Sequence, residues 1–216
     1  MQTNEFYAIQ NKKQMAALKA PTRQEILDVL ATMGDASIAE IAAALGRPAD
    51  SLYYHMRILQ KVGLVFDAGE RMVGTHHEAL FRTPSPDMRL TYKIGPKGNA
   101  GSVVPIVDAM LRLTSRDFAE AFGGESVVEG DNRELWATRS TGWLTPEHVR
   151  KLNRYIARLR RTTVTSRPGT GQLFGLTLVL TPLTRKAPVD KAALSPSNRT
   201  ARERRSKKRI SARNGG

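Results

Sequence analysis

The sequence predicts an α+β fold that is mainly α. It comprises a three-helix bundle with a β-hairpin over residues 1–90, a small α+β unit over 91–184 and a basic tail over 185–216. Three observations predict it. Apolar residues recur at helical spacing in short blocks closed by glycine, strand-forming runs flank a glycine-centred tip between 64 and 83, and the positive charge gathers at the C-terminal end.

Each element has its own signal. Thr22 and Glu25 have the spacing of a capping box, followed by Ile26, Leu27, Val29 and Leu30 as an inward stripe that closes at Gly34. Ser37 and Glu40 make a second such box, with Ile38, Ile41, Ala42 and Leu45 behind it and Gly46 ending the helix. Pro48 fits the first turn of a further helix over about 48–62, because its fixed φ is already helical and its missing donor is not needed there. In that helix Leu52, Met56 and Leu59 share one face, which leaves Ser51, Tyr53, Tyr54 and Arg57 on others, and Val62–Gly63 stops it. Leu64-Val65-Phe66 begins a hairpin over about 64–83, Asp67 through Gly69 bulge or turn, the tip lies near Gly74-Thr75-His76-His77, and Leu80-Phe81 return. Pro84 and Pro86 mark a break.

Beyond the break, Ser102 to Phe122 reads as a long helix, with Pro105 in its first turn and Ile106, Met110, Leu113 and Phe118 as its apolar stripe. Leu135 to Thr138 reads as a short strand. Thr145 caps a helix running to about Arg161, apolar along Val149, Leu152, Ile156 and Leu159 and cationic on the opposite side. Leu173 to Leu180 reads as one buried strand. From Arg185 on, large apolar residues are almost absent, so ordering the tail would cost more than it could bury.

A short helix, a tight turn and a second helix with a polar outer face suit the major groove of DNA. The run Ser51-Leu52-Tyr53-Tyr54-His55-Met56-Arg57-Ile58-Leu59, followed by Val62-Gly63-Leu64-Val65, resembles the recognition helix and wing of ArsR-like winged helix-turn-helix transcriptional regulators. Leu18 to Arg23, Ile26-Leu27 and Glu78 to Arg82 extend the resemblance over roughly residues 12–85. It implies a homodimer that reads double-stranded DNA. Metal-sensing members of that family use cysteine pairs; this chain has no cysteine, so thiolate sensing is excluded and no cofactor is expected.

Composition narrows the reading. Forty per cent apolar residues suffice for a packed core. The N-terminal stretch lacks the apolar run of a signal peptide, and no segment approaches the roughly 20 apolar residues of a membrane span, so a cytoplasmic protein is expected. The net charge is +14, yet residues 1–90 hold 10 Lys/Arg and 10 Asp/Glu, while residues 185–216 hold 11 and 2. The helix–turn–helix pattern therefore carries the DNA reading, and the tail is a candidate for sequence-independent phosphate contact.

The candidate DNA-contacting residues are Ser51, Tyr53, Tyr54, His55 and Arg57 on the helix and Arg71, Thr75 and His76 on the hairpin. Arginine can span both acceptors of guanine, and hydroxyls can hold a phosphate or a base edge. His76, His77 and Glu78 form no metal site in this reading, since neighbours on a strand point to opposite faces. The dimer surface is expected on residues 1–20, on the helix 102–122, or on both. Trp136, Trp143 and Arg139 would suit a pocket for an effector of unknown identity. The alternative to a regulator is a winged-helix protein-interaction module without specific DNA binding. Enzymatic activity is not expected, because there is no phosphate-binding glycine loop, serine elbow or ligand-spaced cluster.

Overall fold

A computed structural model of the chain describes residues 6–165 and 171–184. The elements, in chain order, are β1 (Tyr7–Ile9), α1 (Lys12–Ala17), α2 (Pro21–Met33), β2 (Ala36–Ser37), α3 (Ile38–Ala44), α4 (Asp50–Lys61), β3 (Phe66–Val73), β4 (His76–Arg82), β5 (Met88–Leu90), α5 (Ala100–Ala121) and α6 (Pro146–Thr165). Strands β2, β4 and β3 form an antiparallel sheet in that order, and β1 pairs in parallel with β5.

The helix α3 begins as its sequence dictates. Ser37 Oγ accepts the Glu40 amide at 3.2 Å, and Glu40 Oε2 accepts the Ser37 amide at 2.9 Å, so two free donors at the helix start are satisfied. The Ser37 amide and then Arg71 hold the Glu40 carboxyl below its usual range. Replacing Ser37, which is buried, with alanine is expected to lower stability by about 0.5–2 kcal/mol. The urea midpoint checks this.

Both helices of the helix–turn–helix end in the same way. After α3, the Gly46 amide donates to Ala43 and the Arg47 amide to Ala42; after α4, the Gly63 amide donates to Gln60 and the Leu64 amide to Leu59. This is the Schellman arrangement, which needs a left-handed residue, and Gly46 (φ +59°) and Gly63 (φ +70°) supply it. The second motif swings Leu64 and Val65 back into the core, where they are fully buried. The strand expected from Leu64 therefore starts at Phe66. Asp67 Oδ1 accepts the Gly69 amide at 3.0 Å where β3 bulges against β4, as the Asp67–Gly69 stretch implied.

Other expectations are corrected. Thr22 and Glu25 form no capping box: Pro21 already occupies the first helical position, Ala20 precedes it without a side-chain cap, and Glu25 is drawn into ion pairs instead. Pro48 lies just outside α4; its carbonyl accepts the Ser51 amide at 3.1 Å and so shapes the turn ahead of the helix. Helix α5 starts at Ala100, two residues earlier than expected, which puts Pro105 in the second turn, where it cannot donate to Gly101.

The proline break at 84–86 does not divide the packing. Val103 and Ile106 of α5 share one core with Met15, Ile26, Leu30, Ile41, Leu52, Met56, Leu59 and Leu64. Gln24 Nε2 donates to both Leu18 O (2.6 Å) and Ile106 O (3.0 Å), and Gln14 Nε2 donates to Tyr7 Oη (2.8 Å) and Val62 O (3.1 Å). These bonds tie α1, α2, α5 and the end of α4 into the same body. Ile9, Met15, Ala17 and Leu18 are thus buried inside the fold, while Phe6 stays exposed.

Contacts group the chain into two units, Met1–Val179 and Leu180–Gly216. In the second unit, the described residues 180–184 form neither helix nor strand. The basic tail, expected to be disordered, lies outside the described residues. Within the first unit, α6 is capped as expected: Thr145 Oγ1 accepts the His148 amide at 3.3 Å, with Pro146 in the first turn. None of its residues is buried. The strands expected at 135–138 and 173–180 are not formed: neither stretch is part of a helix or a strand. Among the described residues, no helix is long and apolar enough to cross a membrane.

Candidate nucleic-acid interface

Helix α4 is divided sharply between two faces. Leu52, Met56 and Leu59 are at most 1% exposed, whereas Tyr53 is 46% and Tyr54 67% exposed. Anchoring one side against α2 and the core turns the other to solvent. Asp50, Tyr54, Arg57 and Lys61 recur at four, three and four residues and so form one outward ridge, with Tyr53 beside it. Arg57, Lys61 and the two tyrosine hydroxyls make no hydrogen bond or ion pair with any described residue. Their polar groups are committed to solvent alone. Lys61 was missed in the sequence, although its position four residues after Arg57 was the available signal.

The other candidates are placed differently. Ser51 is exposed, but its Oγ donates to Pro48 O at 2.7 Å, so it stabilises the start of the helix. His55 is half-buried with its ring against Tyr54 edge-on at 5.4 Å, and its Nδ1 is buried without a partner among the described residues. Burial, then Arg23 and Arg47, push its pKa down. A neutral imidazole can donate to phosphate but brings no charge.

On the hairpin, Arg71 is not free. Its guanidinium pairs with Glu40 at 2.8 Å and with Glu78 at 3.3 Å, fastening β3 to α3. It sits within β3, opposite Glu78, and not at the tip. The tip is the Gly74-Thr75 turn; Thr75 and His76 are exposed there, and His76 pairs with Val73. His77 turns to the other face, where Nδ1 lies 3.4 Å from Glu70. The two neighbouring histidines therefore diverge, as period-two alternation requires.

The pairing of charges resolves the neutrality of residues 1–90. Glu25 is taken by Arg47 and Arg116, Asp35 by Arg82, Glu40 and Glu78 by Arg71, and Asp87 by Arg89 and Arg160. Among the described residues to Leu90, Asp28, Asp50 and Asp67 have no lysine, arginine or histidine partner, and Glu70 meets only His77. Lys12, Lys13, Lys19, Arg23, Arg57 and Lys61 have no carboxylate partner. Most of the acids are held in ion pairs with arginines, while exposed Lys12, Lys13, Lys19, Arg57 and Lys61 are not. Asp50 stands in the first turn of α4, where the helix dipole favours it.

The three residues expected to line an effector pocket do not meet. Trp136 lies under Arg133 at 4.2 Å, and Trp143 borders a shallow hollow with Leu144, His148, Lys151, Leu152 and Tyr155. Arg139 borders no part of that hollow.

Residues 18–65 match the family model described as a helix-turn-helix domain. The match begins at the end of α1, spans α2, α3 and α4, and stops at the last buried residue before β3. No curated protein matches the chain.

Proposed function

We propose that the chain is a sequence-specific, DNA-binding transcriptional regulator of the winged-helix, ArsR-like kind, acting in the cytoplasm as a homodimer. Helix α4 lies in the major groove, and the β3–β4 hairpin is the wing, resting its tip on the backbone or the minor groove. One observation carries the reading: the outward ridge of α4 presents Tyr54, Arg57 and Lys61 without a hydrogen-bond or ion-pair partner among the described residues, on a helix whose opposite side is locked in the core. Two cations and Tyr54 on this ridge, with Tyr53 beside it and the single carboxylate Asp50 confined to the first turn, match a surface of phosphates and base acceptors. One such helix reads only a few base pairs, and two placed about 34 Å apart read a palindrome. The hairpin tip carries no cation, so Thr75 and His76 contact the backbone in this reading, and Arg71 supports the hairpin rather than touching DNA. The reading includes no chemical step.

Selection of bound duplexes from a random pool tests it. The full chain is expected to enrich one palindromic site. Removing residues 185–216, with 11 Lys/Arg against 2 Asp/Glu, is expected to flatten the dependence of affinity on salt and to leave the enriched site unchanged. Enrichment of no site by either form overturns the proposal.

A further inference from the structure

We infer that the hollow at the start of α6 binds a small aromatic anion, a flat ring bearing a carboxylate. The hollow measures about 300 Å³, and its side-chain lining is Trp143, Leu144, His148, Lys151, Leu152 and Tyr155. Small-molecule sites span about 300–1,000 Å³, so there is room for one such ring. No residue of α4 borders it, so the inference is independent of the DNA-binding reading.

The lining divides by chemistry. Trp143, Leu144, Leu152 and Tyr155 supply carbon, and the two aromatic side chains among them are 66% and 52% exposed. Aromatic surface left open beside leucines gains by covering a further ring, offset or edge-on. His148 and Lys151 bring donors, and no carboxylate lines the hollow to compete for them.

Both donors are set by α6 itself. The Thr145 amide donates to His148 Nδ1 at 3.4 Å, and Thr145 Oγ1 accepts the His148 amide at 3.3 Å. This is a capping box with histidine in the place of glutamate. Because Nδ1 accepts, the proton of the neutral ring sits on Nε2, where no described residue takes it. Lys151 follows three residues later on the same side of the helix, its ammonium 5.9 Å from the centre of the Tyr155 ring. It pairs with no carboxylate among the described residues, Glu147 one turn before it included.

The surroundings carry the same sign. Residues 139–161 hold 7 Lys/Arg against one acid, Glu147. Among the described residues, only Arg160 of those seven is held by a carboxylate, that of Asp87. An inorganic anion would answer the charge and leave the rings and leucines wet. A neutral ring would cover the carbon and leave two donors unmatched. An aromatic carboxylate meets both demands.

Titration of the full chain with 2-naphthoate, followed through the indole N–H resonances, tests the site. The chain has two tryptophans, and Trp136→Phe identifies the Trp143 resonance. That resonance is expected to shift to saturation with 2-naphthoate. Binding of neutral 2-naphthamide is expected to be about tenfold weaker, and inorganic phosphate is expected to cause no saturable shift. Lys151→Gln is expected to weaken 2-naphthoate by about three- to fivefold and to leave 2-naphthamide unchanged. Arg139→Gln removes a nearby cation that does not border the hollow, and is expected to leave 2-naphthoate binding as it was. Helix α6 buries none of its residues, so Lys151→Gln is expected to melt with the wild type. No saturable shift at Trp143, equal binding of the acid and the amide, saturation by phosphate, or an equal loss in Lys151→Gln and Arg139→Gln would each overturn the assignment.

Discussion

Leu59→Ala is expected to lower the unfolding free energy by about 2–5 kcal/mol, because it removes a fully enclosed side chain and leaves a cavity that its neighbours only partly fill. Leu59 acts twice. Its side chain joins α4 to the shared core, and its carbonyl accepts the Leu64 amide at 2.9 Å in the motif that returns Leu64 and Val65 to that core. A domain of this kind is stabilised by only about 5–15 kcal/mol, so the loss consumes a large share. Urea unfolding followed by circular dichroism measures it. DNA binding should fail at temperatures where the variant is unfolded and recover on cooling. A shift under 1 kcal/mol would mean that α4 is not held as described.

Arg57→Ala is expected to do the reverse, leaving stability within about 0.5 kcal/mol, as surface changes usually do, while costing about 1–3 kcal/mol of affinity for the preferred site. No described residue pairs with Arg57, so removing it orphans nothing inside the fold. The distribution of the loss across sequences is the informative measurement. Loss confined to the preferred duplex assigns Arg57 to a base edge; equal loss on all duplexes assigns it to phosphate. Arg57→Lys separates the cases again, since lysine keeps the charge but cannot make the planar, two-pronged contact. Unchanged affinity on every duplex would remove α4 from the interface.

Much of the first ninety residues was legible because local rules govern them. The Ser37–Glu40 box, the Leu52–Met56–Leu59 stripe and the Asp67–Gly69 bulge each depend on residues a few positions apart, and all three stand in the structure. The failures lie where distant residues decide. Strand β1 pairs with β5 across some eighty positions through three residues each, too few to show a period. Two-residue β2 is defined only by β4 beside it. Thr22 and Glu25 had capping-box spacing, but Glu25 is claimed by Arg116, ninety-one positions away.

The candidate site divides in the same manner. Spacing alone placed Tyr53, Tyr54 and Arg57 on the outside, because exposure on a helix follows from its buried stripe. It could not show that Arg71 is held by Glu40, or that Ser51 turns back to Pro48, since both depend on partners supplied by folding. On α6 the apolar period was readable and the helix formed where expected. What covers that face is not a property of period at all.

Glu25, with only 11% of its side chain exposed, carries a consequence for control. One oxygen lies 2.9 Å from Arg47, in the turn that leads into α4, and the other 2.5 Å from Arg116 on α5. One carboxylate thus answers to two guanidiniums from remote parts of the chain, and drawing Arg116 aside strengthens its hold on Arg47. A tug on the long helix would be felt at the threshold of α4 through electrostatics alone, with no backbone having to bend in between.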